Sequence, residues 1–417
     1  MRILFTTMAE RSHVLTMVPL AWALATAGHE VRLAGSPMIT ETTASAGITA
    51  VEVGKDHTYH ELLGAQDTVE HEMADWSEPF ADRQTWEQVL LKYQAGVPYG
   101  LAPFNDPIVD DLVEFARWWR PDLVVWDPLT YAGPVAAAAV GAAHARLLWS
   151  IDVYSTMRSV FNGLAADQPA DEREDPLREW LEPQLEAVGS GFDGRALHGD
   201  FSIDQVPPGI QLDLGDLRRV PMRYTAYNGR AVVPPWVYEP LERPRVLLTP
   251  GTSFATALGE TYIPLRDSLD ALADLDVEVV ATLSAEEQEQ LGTVPPNTRL
   301  TEFVPLHAMV GSCSAVIHHG GFGTWSTAAL HGVPQVLLPI RHGDMWIKAI
   351  RTAELGAGLY AHPSSVGVGD LRDMVRRLLN EPSFTTAAGK LRDRMLGMPA
   401  PNEIIGEIES LTRELRR

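Results

Sequence analysis

The sequence of 417 residues holds a single cysteine, Cys313. Internal disulfides are therefore excluded, and the usage fits a reducing cytosol. No apolar run approaches the roughly 20 residues that a membrane-spanning helix needs. The opening MRILFTTMAERSH lacks a basic stretch ahead of an apolar core and a small-residue cleavage site, so it does not read as a signal peptide. Basic residues are scarce: 33 Lys and Arg stand against 55 Asp and Glu, a formal net charge of −22. Such a surface repels nucleic-acid phosphates and argues against DNA or RNA binding. Internal repeats and low-complexity tracts are missing as well. These absences lead to the expectation of a cytoplasmic enzyme. If its ligand is anionic, backbone N–H groups and helix N-termini must capture it against the global field.

What is present is ordinary globular composition, 45 % apolar and 21 % charged, in a chain too long for one core. RILFTT, EVRLAG and ITAVEVG read as strands separated by the helical LTMVPLAWALATAG and MITETTASAG. Residues 55–105 then look irregular. PIVDDLVEFARWW (helix), PDLVVW (strand), YAGPVAAAAVGA (helix) and ARLLW (strand) restore the alternation, and 151–231 looks irregular again. After the proline-rich 232–245, read as a linker, the strands RVLLTP, VEVVATL, RLTEFV, AVIHH and QVLLPI alternate with helices. Alternation of this kind implies parallel sheets covered by helices. The expected fold is α/β, two doubly wound Rossmann-like domains at 1–231 and 246–400, with an amphipathic helix at 401–417. Facing edges of two such domains would form a cleft, where ligands of these sheets bind.

The most informative stretch is AVIHHGGFGTWSTAALHGVPQVLLP, residues 315–339. A buried-type strand ends in two histidines, and a glycine-rich hinge leads into a helix. Gly320, Gly321 and Gly323 allow a sharp turn and close approach of backbone N–H groups to a ligand. Thr324 offers a hydroxyl or a helix cap, and His319 a further donor to an oxyanion. With the helix dipole these groups make a diphosphate cradle that needs no lysine; a tight turn with both histidines satisfied by backbone is the alternative. The P-loop spacing is absent, and the dinucleotide fingerprint would open the first strand of its domain rather than the fourth. His318 and His319 point to opposite faces of a strand and do not share a metal. Asp274-Leu275-Asp276, a D-x-D of the kind that can hold metal–diphosphate, lies between helix and strand and reads as an acidic turn. Two further loops belong to the same end of the sheet. One is Gly251, Thr252 and Ser253; the other is Phe303, placed to stack on a base, with the backbone of Val304 at the base's edge.

In the first domain, His13 precedes the first helix, and the strand PDLVVW delivers Asp127 at its carboxyl end. An imidazole oriented by a carboxylate can take a proton from an alcohol; a surface histidine capping a helix and an aspartate starting the next one are the alternative. Asp344, after the strand that follows the cradle, is suited to accept hydrogen bonds from sugar hydroxyls or an amino group, or to start a helix.

The motifs MxxxxHxxxxVPLAWALxxAGHEV, RPDLVVWDP, HARLLWxxD, EDPLREWL, MRYxxYNG and HHGGFGTWSTAALHGVPQ together resemble family 1 glycosyltransferases of actinomycete antibiotic pathways. The likeness is greatest to macrolide and anthracycline deoxysugar transferases, including the desosaminyl type. The resemblance implies the GT-B fold and an inverting, metal-independent transfer from a dTDP-deoxysugar to a polyketide aglycone. The first domain then binds the acceptor and the second the donor. It implies His13 as base, Asp127 as its acidic partner, His319, Gly323 and Thr324 at the diphosphate, Phe303 on the nucleobase and Asp344 on the sugar. Met345 stands where the family usually has Gln after that acid, a departure compatible with a sugar that has lost hydroxyls. The resemblance also implies a cytochrome-monooxygenase-like helper protein, with 55–105 and 151–231 as the regions for its contact. No cofactor is expected, and a homodimer is the assembly kept open. A nucleotide-sugar epimerase of the same fold and a silent binding or activator subunit are the alternatives.

Overall fold

A computed structural model of the protein describes residues 1–58, 75–251 and 262–417. The chain forms two compact units. The first comprises Met1–Val206, Gln211–Gly229 and Met398–Arg417; the second comprises Pro207–Ile210 and Arg230–Gly397.

The first unit is built on a seven-stranded sheet in the order β3-β2-β1-β4-β5-β6-β7. Its strands are β1 (Arg2–Thr6), β2 (Glu30–Gly35), β3 (Thr49–Glu52), β4 (Leu123–Trp126), β5 (Ala143–Leu148), β6 (Phe201–Asp204) and β7 (Arg219–Pro221). Every pairing is parallel. The central strands are apolar on both faces, as strands covered by helices on two sides must be; all four residues of β4 are buried. The helix Arg11–Thr26 buries Val14, Met17, Val18, Ala21 and Leu24, one stripe at helical spacing. The terminal helix Ile405–Leu415 belongs to this unit and places Ile408 and Leu411 in the same core as Phe5, Val125 and Leu147.

Both stretches that read as irregular contain regular elements. Within 55–105, of which 59–74 lie outside the described residues, the helix Trp86–Gly96 opens on a reciprocal capping box between Thr85 and Gln88. Within 151–231 stand the helix Val153–Ala166, capped by Asp152, and the helix Pro176–Ala187, capped by Asp175 with proline at its first position. Strands β6 and β7 lie in that stretch too. Their alternation was hidden by shortness, four and three residues.

The second unit carries a six-stranded parallel sheet in the order β10-β9-β8-β11-β12-β13. Its strands are β8 (Arg245–Thr249), β9 (Glu278–Thr282), β10 (Thr298–Thr301), β11 (Cys313–His318), β12 (Gln335–Leu337) and β13 (Gly358–Tyr360). Sequence reading did not anticipate β13, whose glycine start weakens any strand signal. The proline-rich segment packs here, with Val237 against Leu247, Val280 and Val304. Asp274 and Asp276 form an exposed turn and pair with Arg372 and Arg243. In each sheet the chain returns to the middle and reverses direction of growth, between β1 and β4 and between β8 and β11. Open parallel sheets bind ligands at the carboxyl ends of such strand pairs.

A buried ionic cluster braces the first unit. Arg146 on β5 donates to Asp152 Oδ2 at 2.8 Å, Ser155 Oγ at 2.6 Å, Ser202 Oγ at 2.9 Å and the His198 carbonyl at 3.0 Å. Arg146→Ala would leave the Asp152 carboxylate buried without its counter-charge. We expect it to remove about 3–5 kcal/mol from the stability of this unit, read as an earlier urea midpoint; an unmoved midpoint would show that the cluster contributes nothing net.

Candidate active site

Asp127 follows β4 directly and is fully buried. Its Oδ2 accepts from Thr7 Oγ1 at 2.5 Å, the Met8 N–H at 3.0 Å and His13 Nδ1 at 3.0 Å. Its Oδ1 accepts from the Leu129 N–H at 2.8 Å and Thr130 Oγ1 at 3.0 Å. Burial alone would raise the pKa of this carboxyl. The His13 hydrogen bond and charge, with Thr7 and the Met8 N–H, outweigh burial and hold it below the usual value. Asp127 is thus an acceptor at neutral pH, so the proton between the two groups sits on His13 Nδ1. In the neutral form of the ring this tautomer has its lone pair on Nε2, the arrangement a general base needs.

His13 lies inside the first turn of the helix Arg11–Thr26, with Glu10 at the N-cap, and not in a loop ahead of it. The helix starts earlier because the N–H groups of His13 and Val14 already bond the Glu10 carbonyl, at 3.0 and 3.2 Å. Its side chain is 11 % exposed, so one edge of the ring is open. The Trp149 ring lies against it, with centroids 4.6 Å apart. The structure therefore brings together His13 and Asp127, and it adds Thr7, Met8, Leu129, Thr130 and Trp149, none of which sequence reading placed around the base.

In the second unit, β11 ends at His318 and His319 follows it directly. His318 is fully buried; its Nε2 meets Gln335 Oε1 at 2.8 Å and its Nδ1 accepts the Gly320 N–H at 3.1 Å. Burial, helped by the neighbouring His319, pushes its pKa down to about 3, so it is neutral. The Gly320 N–H is thereby used inside the protein and is withdrawn from the expected cradle. Gly320 itself serves the turn, at φ +99°.

His319 is buried too, and burial and then the charge of Lys348 push its pKa down to about 4. Its ring lies against two glycines. A Cβ on Gly251, which has φ +85°, would fall 2.1 Å from His319 Cε1, and one on Gly321 would fall 2.6 Å from Nε2. Only glycine at both positions lets the ring occupy this place. Gly321, which has no side chain to offer, is the N-cap of the helix Phe322–His331. Thr324 is therefore not the cap; it stands in the first turn with Gly323. Thr252 and Ser253 lie outside the described residues.

Phe303, just past β10, is 44 % exposed, while Val304 is buried in the core. Asp344 is the N-cap residue of the helix Met345–Glu354, yet its carboxylate does not cap. Both of its oxygens accept from Lys348 Nζ, at 3.0 and 2.9 Å, and both residues are buried. Burial lowers the Lys348 pKa and Asp344 opposes the shift. Lys348 is the feature of this site that sequence reading missed. The Asp-x-x-x-Lys spacing on one helix face was its signal.

Known proteins share this arrangement of elements. Residues 22–251 match the family model for erythromycin biosynthesis protein CIII-like, N-terminal domain, and 266–411 match the C-terminal one. The chain is 45 % identical to a 10-deoxymethynolide desosaminyltransferase of Streptomyces venezuelae, over 100 % of this chain and 98 % of that protein. It is 42 % identical to an aclacinomycin-T 2-deoxy-L-fucose transferase of Streptomyces galilaeus, over 100 % and 97 %. The crystal structure of the glycosyltransferase VinC in complex with dTDP matches with TM-score 0.88 and 39 % identity, over 99 % of this chain and 100 % of that one. With both family models matched and two parallel-sheet units of the expected topology, the chain belongs to the erythromycin biosynthesis protein CIII-like family and is a glycosyltransferase of the GT-B fold.

Proposed function

We propose that the enzyme moves a deoxysugar from a dTDP-sugar to a hydroxyl of a polyketide aglycone of the macrolide or anthracycline type, inverting the sugar carbon and using no metal. The observation that carries the chemistry is the His13 Nδ1–Asp127 Oδ2 contact at 3.0 Å. His13 Nε2 takes the acceptor hydroxyl proton as that oxygen bonds to the sugar carbon. The bond from carbon to diphosphate oxygen breaks, and dTDP leaves with the electron pair. Asp127 stays ionised and steadies the imidazolium; it accepts no proton itself.

The leaving diphosphate is held by the first-turn N–H groups at Gly323 and Thr324, by the Thr324 hydroxyl and by neutral His319. The dipole of the helix Phe322–His331 and the buried Lys348 charge supply the electrostatic part. Phe303 stacks on the thymine and the Val304 backbone meets its edge. Asp344, kept in place by Lys348, contacts the sugar. Met345, whose Cβ lies 3.5 Å from the point where a Cβ on Gly320 would be, presents an apolar side chain there. A deoxygenated sugar suits it, because a buried amide without a hydroxyl partner would cost about 1–3 kcal/mol. The same reading places the enzyme in the cytoplasm and includes a cytochrome-monooxygenase-like helper. Among the described residues, no helix is long and apolar enough to cross a membrane.

Product analysis by mass spectrometry on a panel of dTDP-deoxysugars and aglycones, beginning with dTDP-desosamine and 10-deoxymethynolide, tests the reading with and without such a helper. A glycoside that forms only when an aglycone is added supports it; a rearranged dTDP-sugar without acceptor points to an epimerase instead. His13→Ala should lower kcat by about 10²–10⁴-fold, the usual contribution of a general base, with dTDP affinity retained. A kcat near that of the native enzyme would remove His13 from the chemistry. Gly251→Ala should drive the His319 ring from its place and weaken dTDP binding about tenfold or more, about 1.4 kcal/mol, as measured by calorimetry. An unaltered Kd would separate His319 from the nucleotide.

A further inference from the structure

Strands β1, β4 and β5 are neighbours in the sheet, so the loops at their carboxyl ends lie side by side. The first leads to His13, the second carries Asp127, and the third carries Trp149 one residue beyond β5. The indole centroid stands 4.6 Å from the imidazole centroid, with the ring planes 52° apart. The indole Nε1 is buried and makes no hydrogen bond among the described residues. An unsatisfied buried donor is unfavourable, and this one is closed to solvent, so the N–H is not what the position uses. What remains is the ring itself, against a histidine whose side chain makes, among the described residues, one hydrogen bond, at Nδ1. That bond fixes the imidazole's tautomer but permits the ring to swing about it. A flat neighbour at contact distance removes the swing, and an aromatic ring also attracts the cation that forms when the imidazole takes a proton.

We propose that Trp149 is a positioning residue for the base: its ring backs His13 so that Nε2 points in one direction, and its π-system steadies the imidazolium. The proposal rests on the reading of His13 as the base. It concerns the aromatic ring and not the indole N–H, so phenylalanine should replace tryptophan here and leucine should not.

The test compares Trp149→Phe, Trp149→Leu and His13→Ala with the donor and acceptor that the panel above identifies. Trp149→Leu should lower kcat by about ten- to a hundredfold with KM for the donor and dTDP affinity retained, and Trp149→Phe should recover most of the turnover. A residue that only fills space would lower thermal stability without dividing kcat from KM. In the unaltered chain, NMR should show the His13 ring protons displaced by the indole ring current, with His13→Ala identifying the signals. That measurement also decides the matter if the Leu variant does not fold. The proposal is overturned if Trp149→Leu turns over like the native enzyme while His13→Ala is inactive, if Phe and Leu are equally impaired, or if no ring-current displacement is found. An active His13→Ala variant would instead remove the base itself, and this proposal with it.

Discussion

A carboxylate with no access to water must have its charge met by hydrogen bonds, and Asp127 shows what this demands of the first unit. Leaving such a charge unmet costs several kcal/mol. Five donors surround it, drawn from the end of β1, the first turn of a helix and the loop after β4. Those donors fix where the chain leaves β1, how soon the helix begins and which nitrogen of His13 carries the proton. The site is thus a consequence of solving a burial problem at the point where the sheet reverses its direction of growth. The carboxylate cannot be moved without releasing all three segments.

The second unit solves a related problem with neutral groups. At the end of β11, two adjacent imidazoles are buried and both are held in the uncharged form. One is spent on structure: His318 bridges Gln335 and the Gly320 N–H and so closes the turn. The other is set among glycines whose missing side chains make its room. On the proposed reading this division of labour explains a doubled histidine. A strand places adjacent residues on opposite faces, so a single histidine could not both lock the hinge and face the ligand.

Much of this was legible in the sequence, for identifiable reasons. Among the described residues, ten of the thirteen strands stand out where apolar runs are bounded by turn residues, or follow from the alternation with helices; β6, β7 and β13 are too short for a period to show, although the first two fall in one stretch. The helices Trp86–Gly96, Val153–Ala166 and Pro176–Ala187 were hidden by mixed composition, yet Thr85, Asp152 and Asp175 marked their starts as capping residues do. His13 and Asp127 could be paired because the strand order of a doubly wound sheet places their loops together. Trp149 could not, since its contact with His13 depends on side-chain direction. Lys348 is instructive in another way. A lysine four residues after an acid reads as a solvated surface pair, and only its burial makes it a charge that the site retains.

That burial bears on how so acidic a chain can hold an anionic donor. The net charge is −22, but exposed charges are screened beyond about 8 Å at physiological ionic strength, so most of them act on the donor only weakly. A buried ammonium is screened far less. Lys348 is paired with Asp344, and a pair has little net field at a distance; at close range the two ends differ. An ammonium that depresses the pKa of His319 is near enough to act on whatever that histidine touches. The helix start at Gly321 adds partial positive charge at the same end of the sheet. Local dipoles and one enclosed cation can therefore outweigh a surface excess of acid wherever water is kept out.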